Sequence, residues 1–177
     1  MIHQHSYPIK LRAPEMDDLH LLFEVENDRK LWLYSSNTGP YSRYQMEQYI
    51  LSNTNDIYTD CQQRFMIVNP DDETQVYGIA DIFNFDARNN RAEVGILVLP
   101  DFRGKGIARK ALDELSSHSF GFLGLEQLYA FVISDNIAAQ NLFRSSGYEE
   151  VGLLKSWLRR GSYYIDVNVY QKLIEKT

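Results

Sequence analysis

Two closely spaced glycines mark the part of the sequence whose chemistry is clearest. A β-rich run leads into a short turn with Gly104 and Gly106, and an amphipathic helical pattern begins at once. Glycine lets a ligand approach the backbone closely, and the start of a helix offers unpaired N–H groups and a positive dipole. Lys105 and Arg109 add positive charge. This glycine turn, residues 103–109, predicts a site for a pyrophosphate group.

The glycine pair does not match the two best-known nucleotide patterns. The triphosphate pattern G-x-x-x-x-G-K-S/T is absent, and the segment 104–109 lacks the third glycine of the dinucleotide pattern. A structural interpretation is also open, in which the glycines only turn a strand into a helix. The residues alone therefore predict an anion site without identifying its ligand.

The elements around this turn are predicted in the order β, α, α, β, β, β, α, β, α, β, β. Hairpin-like connections between three successive strands favour a largely antiparallel sheet. The predicted strands cover 7–12, 64–69, 76–85, 92–99, 128–132, 148–158 and 162–173. The predicted helices begin at Pro14, cover 44–52 within a region of one or two short helices, and cover 104–119 and 136–146.

Composition limits the classes of protein that this chain can represent. Its 177 residues fit a single domain over 1–177. A net charge of −6 argues against a nucleic-acid partner, because such binding requires basic surface. One cysteine excludes an internal disulfide, and the four histidines lack metal-ligand spacing, so no metal is predicted. With no signal segment and no long apolar run, we expect a cytoplasmic protein without a membrane partner.

The glycine turn also carries a resemblance to a known family. The run Arg103-x-x-Gly106-x-Ala108 after a strand resembles the acetyl-CoA motif Arg/Gln-x-x-Gly-x-Gly/Ala of the GNAT acetyltransferase superfamily. Arg91-Ala92-Glu93 at the start of that strand and Asn136 at the start of a later helix are further matches. The most similar branch contains spermidine and ribosomal-protein N-terminal acetyltransferases.

The resemblance extends over about residues 7–173 and implies a fold. The run Phe143-Arg144-Ser145-Ser146-Gly147-Tyr148 is similar to the family's Tyr-x-x-x-Gly-Phe. The implied fold is of the α/β (α+β) class, with a GNAT-like mixed, mostly antiparallel central sheet of about seven strands. Helices cover both faces, and the sheet is splayed in the middle.

The same resemblance implies acetyl-CoA as co-substrate, with its pantetheine arm in the V-shaped gap of the splayed sheet. Backbone groups of Ile96, Leu97 and Val98 would contact the pantetheine and the acetyl carbonyl. Asn136 would hydrogen-bond the co-substrate from the second arm of the gap, and it equally suits a helix N-cap. Backbone N–H groups that would hold the pyrophosphate belong to Arg103, Gly104, Lys105, Gly106, Ile107 and Ala108.

The implied reaction is direct attack of a neutral amine on the thioester. Because such an amine is mostly protonated at neutral pH, a base must remove a proton. Glu93 is the first candidate, since the family frequently has a glutamate at this point of the strand. A structural ion pair of Glu93 with Arg91 or Arg88 is the alternative. Asp81 on the adjacent strand is the second candidate for the base.

Phe143 occupies the position where many relatives have a tyrosine that protonates the departing thiolate. Its ring can pack against pantetheine, but it offers no proton. A water molecule or Ser146 could substitute. This departure motivates a rival hypothesis, in which the chain is a non-catalytic regulatory module that binds acetyl-CoA or CoA.

The acceptor is predicted to be a small amine such as a polyamine, or a protein N-terminal amine. Polyamine enzymes of the similar branch carry an acidic pair before Pro-Tyr, whereas here Asn37-Thr38-Gly39 precedes Pro40-Tyr41. The apolar last two strands make a homodimer a further hypothesis. Several carboxylates and aromatic rings could line the acceptor side, and ordinary packing explains the rings equally well. These residues are Glu24, Glu26, Glu47, Asp81, Trp32, Tyr34, Tyr41, Tyr44 and Tyr49.

Overall fold

A seven-stranded sheet forms the centre of the structure, a computed structural model that describes residues 7–34 and 37–175. Its strands are β1 (Lys10–Arg12), β2 (Gln63–Asn69), β3 (Asp72–Asp86), β4 (Arg91–Val98), β5 (Gln127–Ile133), β6 (Glu149–Arg160) and β7 (Tyr163–Leu173). They lie in the order β1-β2-β3-β4-β5-β7-β6. Neighbours run antiparallel except β4 and β5, which are parallel. The predicted mixed, mostly antiparallel sheet is confirmed.

Helices connect the strands at both ends of the sheet. They are α1 (Leu19–Asn27), α2 (Arg43–Ser52), α3 (Ile57–Asp60), α4 (Ile107–Ser117) and α5 (Ile137–Ser145). Short 3-10 turns cover Met16–Asp18, Trp32–Tyr34 and Pro100–Phe102, and a π-helical turn at His118–Phe122 follows α4. Within the described residues, none of the helices combines the length and apolar character that crossing a membrane requires.

Helix α4 begins three residues later than the sequence pattern predicts. Gly104 and Gly106 have φ angles of +75° and +78°, which a right-handed helix cannot contain, so the helix starts at Ile107. Its apolar positions then recur at helical spacing, as predicted. The face that α4 buries against the sheet is formed by Ile107, Ala111, Leu112 and Leu115.

Two smaller elements also differ from the sequence-based prediction. Strand β3 begins at Asp72, which pairs with Asn69, so the β2–β3 turn is shorter than expected. Helix α3 is a single turn that was not predicted. Asp56 caps it by accepting from the Tyr58 N–H at 3.0 Å, and Cys61, with a φ of +55°, ends it.

Two apolar clusters lie on opposite faces of the sheet. The larger one contains α4 residues such as Leu112 packed with Ile82, Leu128 and Tyr170 of the strands. The smaller one joins Leu22 of α1 to strand residues. Helices therefore cover both faces, as predicted, and the strands between them are held from two sides. The strand residues of the smaller cluster are Met66, Val68 and Ile79.

Strands β4 and β5 pair only at their starts. Arg91, Ala92 and Glu93 oppose Gln127, Leu128 and Tyr129, and the pairing ends there, whereas β3 follows β4 as far as Val98. The β4 backbone beyond Glu93 thus has no strand partner on the β5 side. This opening, called the strand gap, is the predicted splay of the sheet.

Gly78 provides a test of how closely β3 and β4 must approach. A Cβ at this position would overlap the Leu97 carbonyl oxygen and lie 3.0 Å from Val98 Cα. Because these are backbone atoms, no side-chain rotation can relieve the overlap. We expect Gly78→Ala to lower the free energy of unfolding by about 1–3 kcal/mol or more, measured by urea unfolding.

Gly152→Ala is the matched control, since this strand glycine has no atom within 4 Å of its Cβ position. It should change the free energy of unfolding by less than about 0.5 kcal/mol. Equal stabilities of the two variants would contradict the close approach.

Candidate active site

The glycine turn presents a run of unpaired backbone donors. In the part of the chain that the structure describes, the N–H groups of residues 104–109 have no intramolecular hydrogen-bond acceptor. The left-handed conformations of Gly104 and Gly106 form this run just ahead of α4. Successive free N–H groups at a helix N-terminus, added to the helix dipole, can bind the oxygens of a phosphate group.

Charged side chains border the same turn. The Lys105 Nζ lies 4.8 Å from the ring centre of Tyr7 and 5.2 Å from that of Phe102. Arg109 is exposed on the first turn of α4. The Arg103 Nε donates to the Val98 carbonyl oxygen at 2.9 Å and so ties the turn to the end of β4. The turn is therefore positively charged as well as rich in donors.

Glu93 stands where the strand gap begins. It is the last β4 residue that pairs with β5. Its Oε2 accepts a hydrogen bond of 2.8 Å from the Asn84 amide. Burial raises the pKa of Glu93, and the Asn84 hydrogen bond opposes that rise. A carboxyl group of this kind can take up a proton closer to neutral pH than an exposed one can.

The alternative ion pair of Glu93 is not formed. Among residues 7–34 and 37–175, Glu93 has no salt bridge, while Arg91 pairs with Asp86 at 3.1 Å. Hydrogen bonds from Asn89 and the ion pair with Arg91 keep the pKa of Asp86 low. Arg91 is therefore paired with Asp86 at the end of the hairpin. The Glu93 carboxylate instead accepts its hydrogen bond from Asn84.

Asp81, the second candidate for the base, lies opposite Gly95 on the same face of the sheet as Glu93. Both its oxygens are occupied by Arg64, with Nε at 2.7 Å and Nη2 at 3.1 Å. A bidentate, charge-assisted pair of this kind is strong and fixes the orientation of both side chains. Asp81 is therefore tied to a guanidinium, whereas Glu93 is not.

A cavity of about 270 Å³ lies on this face, next to Gly95 and Leu97 of β4. This acidic cavity contains Asp81, Arg64 and Glu26 in one network, since Arg64 Nη1 also donates to Glu26 Oε1 at 2.6 Å. Two carboxylates and one guanidinium leave one net negative charge. The cavity can therefore receive a cationic group.

Asn37, shortly before Pro40-Tyr41 in the chain, completes the network. Its amide donates to Glu26 Oε2 at 2.9 Å, and its Oδ1 accepts from the Tyr41 hydroxyl at 3.3 Å. Trp32 and Tyr34 also line the cavity. Asn37 thus holds a carboxylate in place and adds no charge.

The other carboxylates and rings expected on the acceptor side are placed differently. Glu24 is exposed on α1 and lies 3.3 Å from His20, while Glu47 on α2 does not line the acidic cavity. Tyr44 is 68% exposed. Tyr49 lies beneath the Arg64 guanidinium, 5.6 Å from ring centre to Cζ. The cavity therefore uses only part of the predicted set.

Asn136 and Phe143 lie on the far side of the strand gap. Asn136 caps α5 by accepting from the Ala139 N–H at 3.1 Å, which leaves its amide nitrogen without a partner in the described chain. Phe143 is 5% exposed and packs between Tyr148 and Tyr170, with ring centres 5.1 and 5.9 Å away. The structure thus supports the capping role of Asn136 and places Phe143 in the core.

Comparison with known proteins identifies the family. The model of the acetyltransferase (GNAT) domain matches residues 9–149. The chain belongs to the GNAT acetyltransferase family. The predicted acetyl-CoA-dependent N-acetyltransferase is confirmed at this level, as is the predicted fold.

Relatives of this GNAT chain include characterised enzymes. It is 27% identical over 157 residues to the spermidine N(1)-acetyltransferase of Vibrio cholerae. That alignment covers 88% of this chain and 87% of the Vibrio cholerae protein. The Escherichia coli K12 enzyme of the same name is 27% identical over 161 residues, covering 89% and 82%. A crystal structure of the Vibrio cholerae enzyme with CoA and spermine has a TM-score of 0.80 at 25% identity, covering 93% and 95%.

Sequence reasoning missed two residues of this GNAT site, Arg64 and Asn84. Arg64 is a charge next to the apolar residues 65–68 of strand β2, which is a visible signal. Its partner Asp81 follows from the strand register, and its partner Glu26 follows from the packing of α1 on the sheet. Asn84 has a φ of +50° within β3, and no pattern in the sequence indicates this. The contacts of both residues depend on how separate elements pack together.

The role of the glycine turn in binding can be tested by replacing Gly106, which has a φ of +78°. A Cβ added at this position would have no atom within 4 Å. We expect Gly106→Ala to raise the Kd for acetyl-CoA about tenfold or more, the equivalent of ~1.4 kcal/mol, because a side chain strains the turn and narrows the approach to its N–H groups. Isothermal titration calorimetry measures the change.

Gly124→Ala is the control, since Gly124 has a φ of +68° and equally open space but lies beyond the other end of α4. Both variants should lose similar thermal stability, and only Gly106→Ala should lose affinity. Unchanged acetyl-CoA binding by Gly106→Ala would remove the turn from the site.

Proposed function

We propose that this GNAT protein transfers the acetyl group of acetyl-CoA to a primary amine of a polyamine. The observation that carries the proposal is that the strand gap starts at Glu93, a half-buried carboxyl without an ion-pair partner in the described chain, on the same sheet face as the acidic cavity. The similarity to spermidine acetyltransferases supports the choice of acceptor.

In this proposal the glycine turn holds the pyrophosphate of acetyl-CoA through the N–H groups of residues 104–109, since the Arg103 N–H already donates to the Pro100 carbonyl oxygen at 3.3 Å. Ile96, Leu97 and Val98 contact the pantetheine through the backbone groups that β5 leaves unpaired. The free amide of Asn136 hydrogen-bonds the co-substrate from the other arm of the strand gap. The arrangement positions the thioester within the splayed sheet, next to the cavity that receives the amine.

Glu93 is the general base of the proposed reaction. A primary ammonium with a pKa of about 10.4 must lose a proton before it can attack. Glu93 takes that proton directly or through one water molecule, and its raised pKa brings the carboxylate closer to the ammonium in basicity. Asp81 serves the acceptor as a negative charge instead, because Arg64 occupies both of its oxygens.

The neutral amine then attacks the carbonyl carbon of the thioester. A C–N bond forms, the C–S bond breaks, and CoA leaves as a thiolate. The nitrogen, now bonded to the acetyl group, gives its second proton to water, and the thiolate takes up a proton from water to leave as the thiol. Phe143 supplies no proton to the sulfur and lies in the core. Because a thiolate is a fair leaving group, the absence of an acid costs at most about the 10²–10⁴-fold that general acid catalysis contributes.

The acidic cavity favours an amine that bears positive charge. Each carboxylate oxygen that accepts from Arg64 has a further lone pair, so Glu26 and Asp81 can also accept from an ammonium. The ring faces of Trp32 and Tyr34 add cation–π attraction. One ammonium fits the single net charge of the cavity, and the remaining charges of a polyamine lie outside it.

A homodimer and a cytoplasmic location are further parts of the proposal. Strand β6 is an edge of the sheet, and its side chains Val151, Leu153 and Trp157 are exposed. Such an edge can pair with a second copy of the chain. The cytoplasm is the compartment expected for a chain with one exposed, unpaired cysteine that uses acetyl-CoA.

An amine panel tests the acceptor. With acetyl-CoA present, spermidine and spermine should release CoA thiol with higher kcat/KM than a peptide with a free amino terminus, because the cavity carries net negative charge. A reagent that reports free thiol measures the release. Acetyl-CoA binding without turnover of any amine would instead support the regulatory module that Phe143 motivates.

Glu93→Gln tests the base. The carboxylate must be unprotonated to act, so kcat/KM of the wild type should fall as the pH drops through a pKa above the ordinary carboxyl range of about 4.3. The variant should lose about 10²–10⁴-fold in kcat and should lose that acidic limb.

Glu114→Gln, at an exposed position of α4, is the control and should keep the wild-type profile. A Glu93→Gln protein with an unchanged acidic limb would show that another group is the base.

A further inference from the structure

Asn84 occupies a bulge in the ladder between β3 and β4. Phe83 pairs with Glu93, but the next aligned pair is Asp86 with Arg91. Residues 84 and 85 of β3 therefore oppose Ala92 alone, which is the arrangement of a β-bulge. Asn84 has a φ of +50°, a left-handed conformation that asparagine tolerates better than most residues.

The bulge changes the direction of one side chain. In a regular strand Asn84 would point to the face opposite Phe83 and away from Glu93. In the structure its amide nitrogen instead lies 2.8 Å from Glu93 Oε2. Bulges commonly redirect a side chain next to active sites, and a strained residue that does so is a candidate for function.

The groups that face Glu93 come from both neighbouring strands. From β3 these are Asn84, whose amide is neutral, and Asp86, whose carboxylate is paired with Arg91 of β4. From β5 the facing residue is Tyr129, whose pKa is raised by burial and by the charge of Glu93. Further along the same face, Asp81 is paired with Arg64 of β2. In the described chain, the hydrogen bond that the Glu93 carboxylate accepts from a side chain thus comes from Asn84.

We propose that Asn84 is a positioning residue for the transfer reaction, which holds Oε2 of Glu93 and leaves Oε1 to receive the proton of the acceptor amine. The inference rests on the proposed role of Glu93 as the base. The β-bulge is then part of the active site, because it brings a neutral donor to a half-buried carboxylate that has no ion-pair partner in the described chain.

The chemistry of the contact predicts its effect on the reaction. An amide N–H stabilises the charged form of a carboxylate, whereas burial favours the neutral form. Loss of the Asn84 amide should therefore keep Glu93 protonated to higher pH. The same loss should also free the carboxylate to rotate, so that kcat falls even at a pH where Glu93 is fully charged.

Asn84→Gly is the decisive variant, because glycine adopts a positive φ without strain and removes only the amide. We expect the acidic limb of its kcat/KM profile to move up by about one pH unit, a tenfold change in the proton equilibrium. Asn84→Asp should move it further, since a second carboxylate opposes the charge of the first.

Asn90→Gly is the matched control. Asn90 also has a positive φ, +47°, and lies in the turn between β3 and β4, but no hydrogen bond of its side chain is formed in the described chain. This variant should keep the wild-type profile. Thermal unfolding of all three proteins verifies that the sheet is intact.

A second readout separates the inference from the proposed function. Carbon-13 NMR follows the titration of the Glu93 carboxyl, assigned with Glu93→Gln, without any need for turnover. The inference is supported if the Glu93 titration and the acidic limb of the kcat/KM profile move together in Asn84→Gly. An unmoved Glu93 titration overturns it, whatever group is the base. If the Glu93 titration moves but the acidic limb of the kcat/KM profile does not, Glu93 is not the base. The proposed role of Asn84 in catalysis is then overturned as well.

Discussion

The parting of β4 from β5 is the constraint on which the rest of this structure depends. Backbone N–H and C=O groups in the middle of a sheet normally find partners, and a strand that lacks them on one side must be held on the other. β4 is held by β3 along its length, and Gly78 allows the two backbones to approach closely. The unpaired side of β4 is followed, beyond the short turn Pro100–Phe102, by the free N–H groups of residues 104–109 in the glycine turn. Free backbone groups thus form an interrupted strip from the strand gap to the start of α4.

Charge is separated along this strip. The glycine turn collects Lys105, Arg109 and the helix dipole at one end. At the other end, Glu93 and the acidic cavity carry negative charge. In the proposed function, the field of the protein orients acetyl-CoA with its phosphate groups at the glycine turn and its acyl group near Glu93, and it attracts a cationic acceptor to the acyl end. Arg64 moderates that attraction, because it neutralises one of the two cavity carboxylates.

The sequence predicts those parts of the site that depend on backbone conformation and local order. Gly104 and Gly106 between a strand and an amphipathic helix predict the glycine turn, and alternation of apolar residues predicts the strands that frame it. Side-chain partners are less accessible to such reasoning, because they depend on strand register. The contact between Asn84 and Glu93 exists only because the ladder shifts between Phe83 and Asp86. Phe143 shows the same limit, since its burial between Tyr148 and Tyr170 follows from the packing of α5 on the sheet.

The contacts of Tyr7 have a practical consequence. Its ring lies beside the Lys105 ammonium, and its carbonyl oxygen accepts a hydrogen bond of 2.7 Å from Lys110 Nζ. The segment before β1 thus steadies two lysines next to the glycine turn, although it is far from them in the chain. Removal of the chain through Tyr7 would take away both contacts. In the proposed function, those lysines would then be held less firmly beside the phosphate groups of the co-substrate.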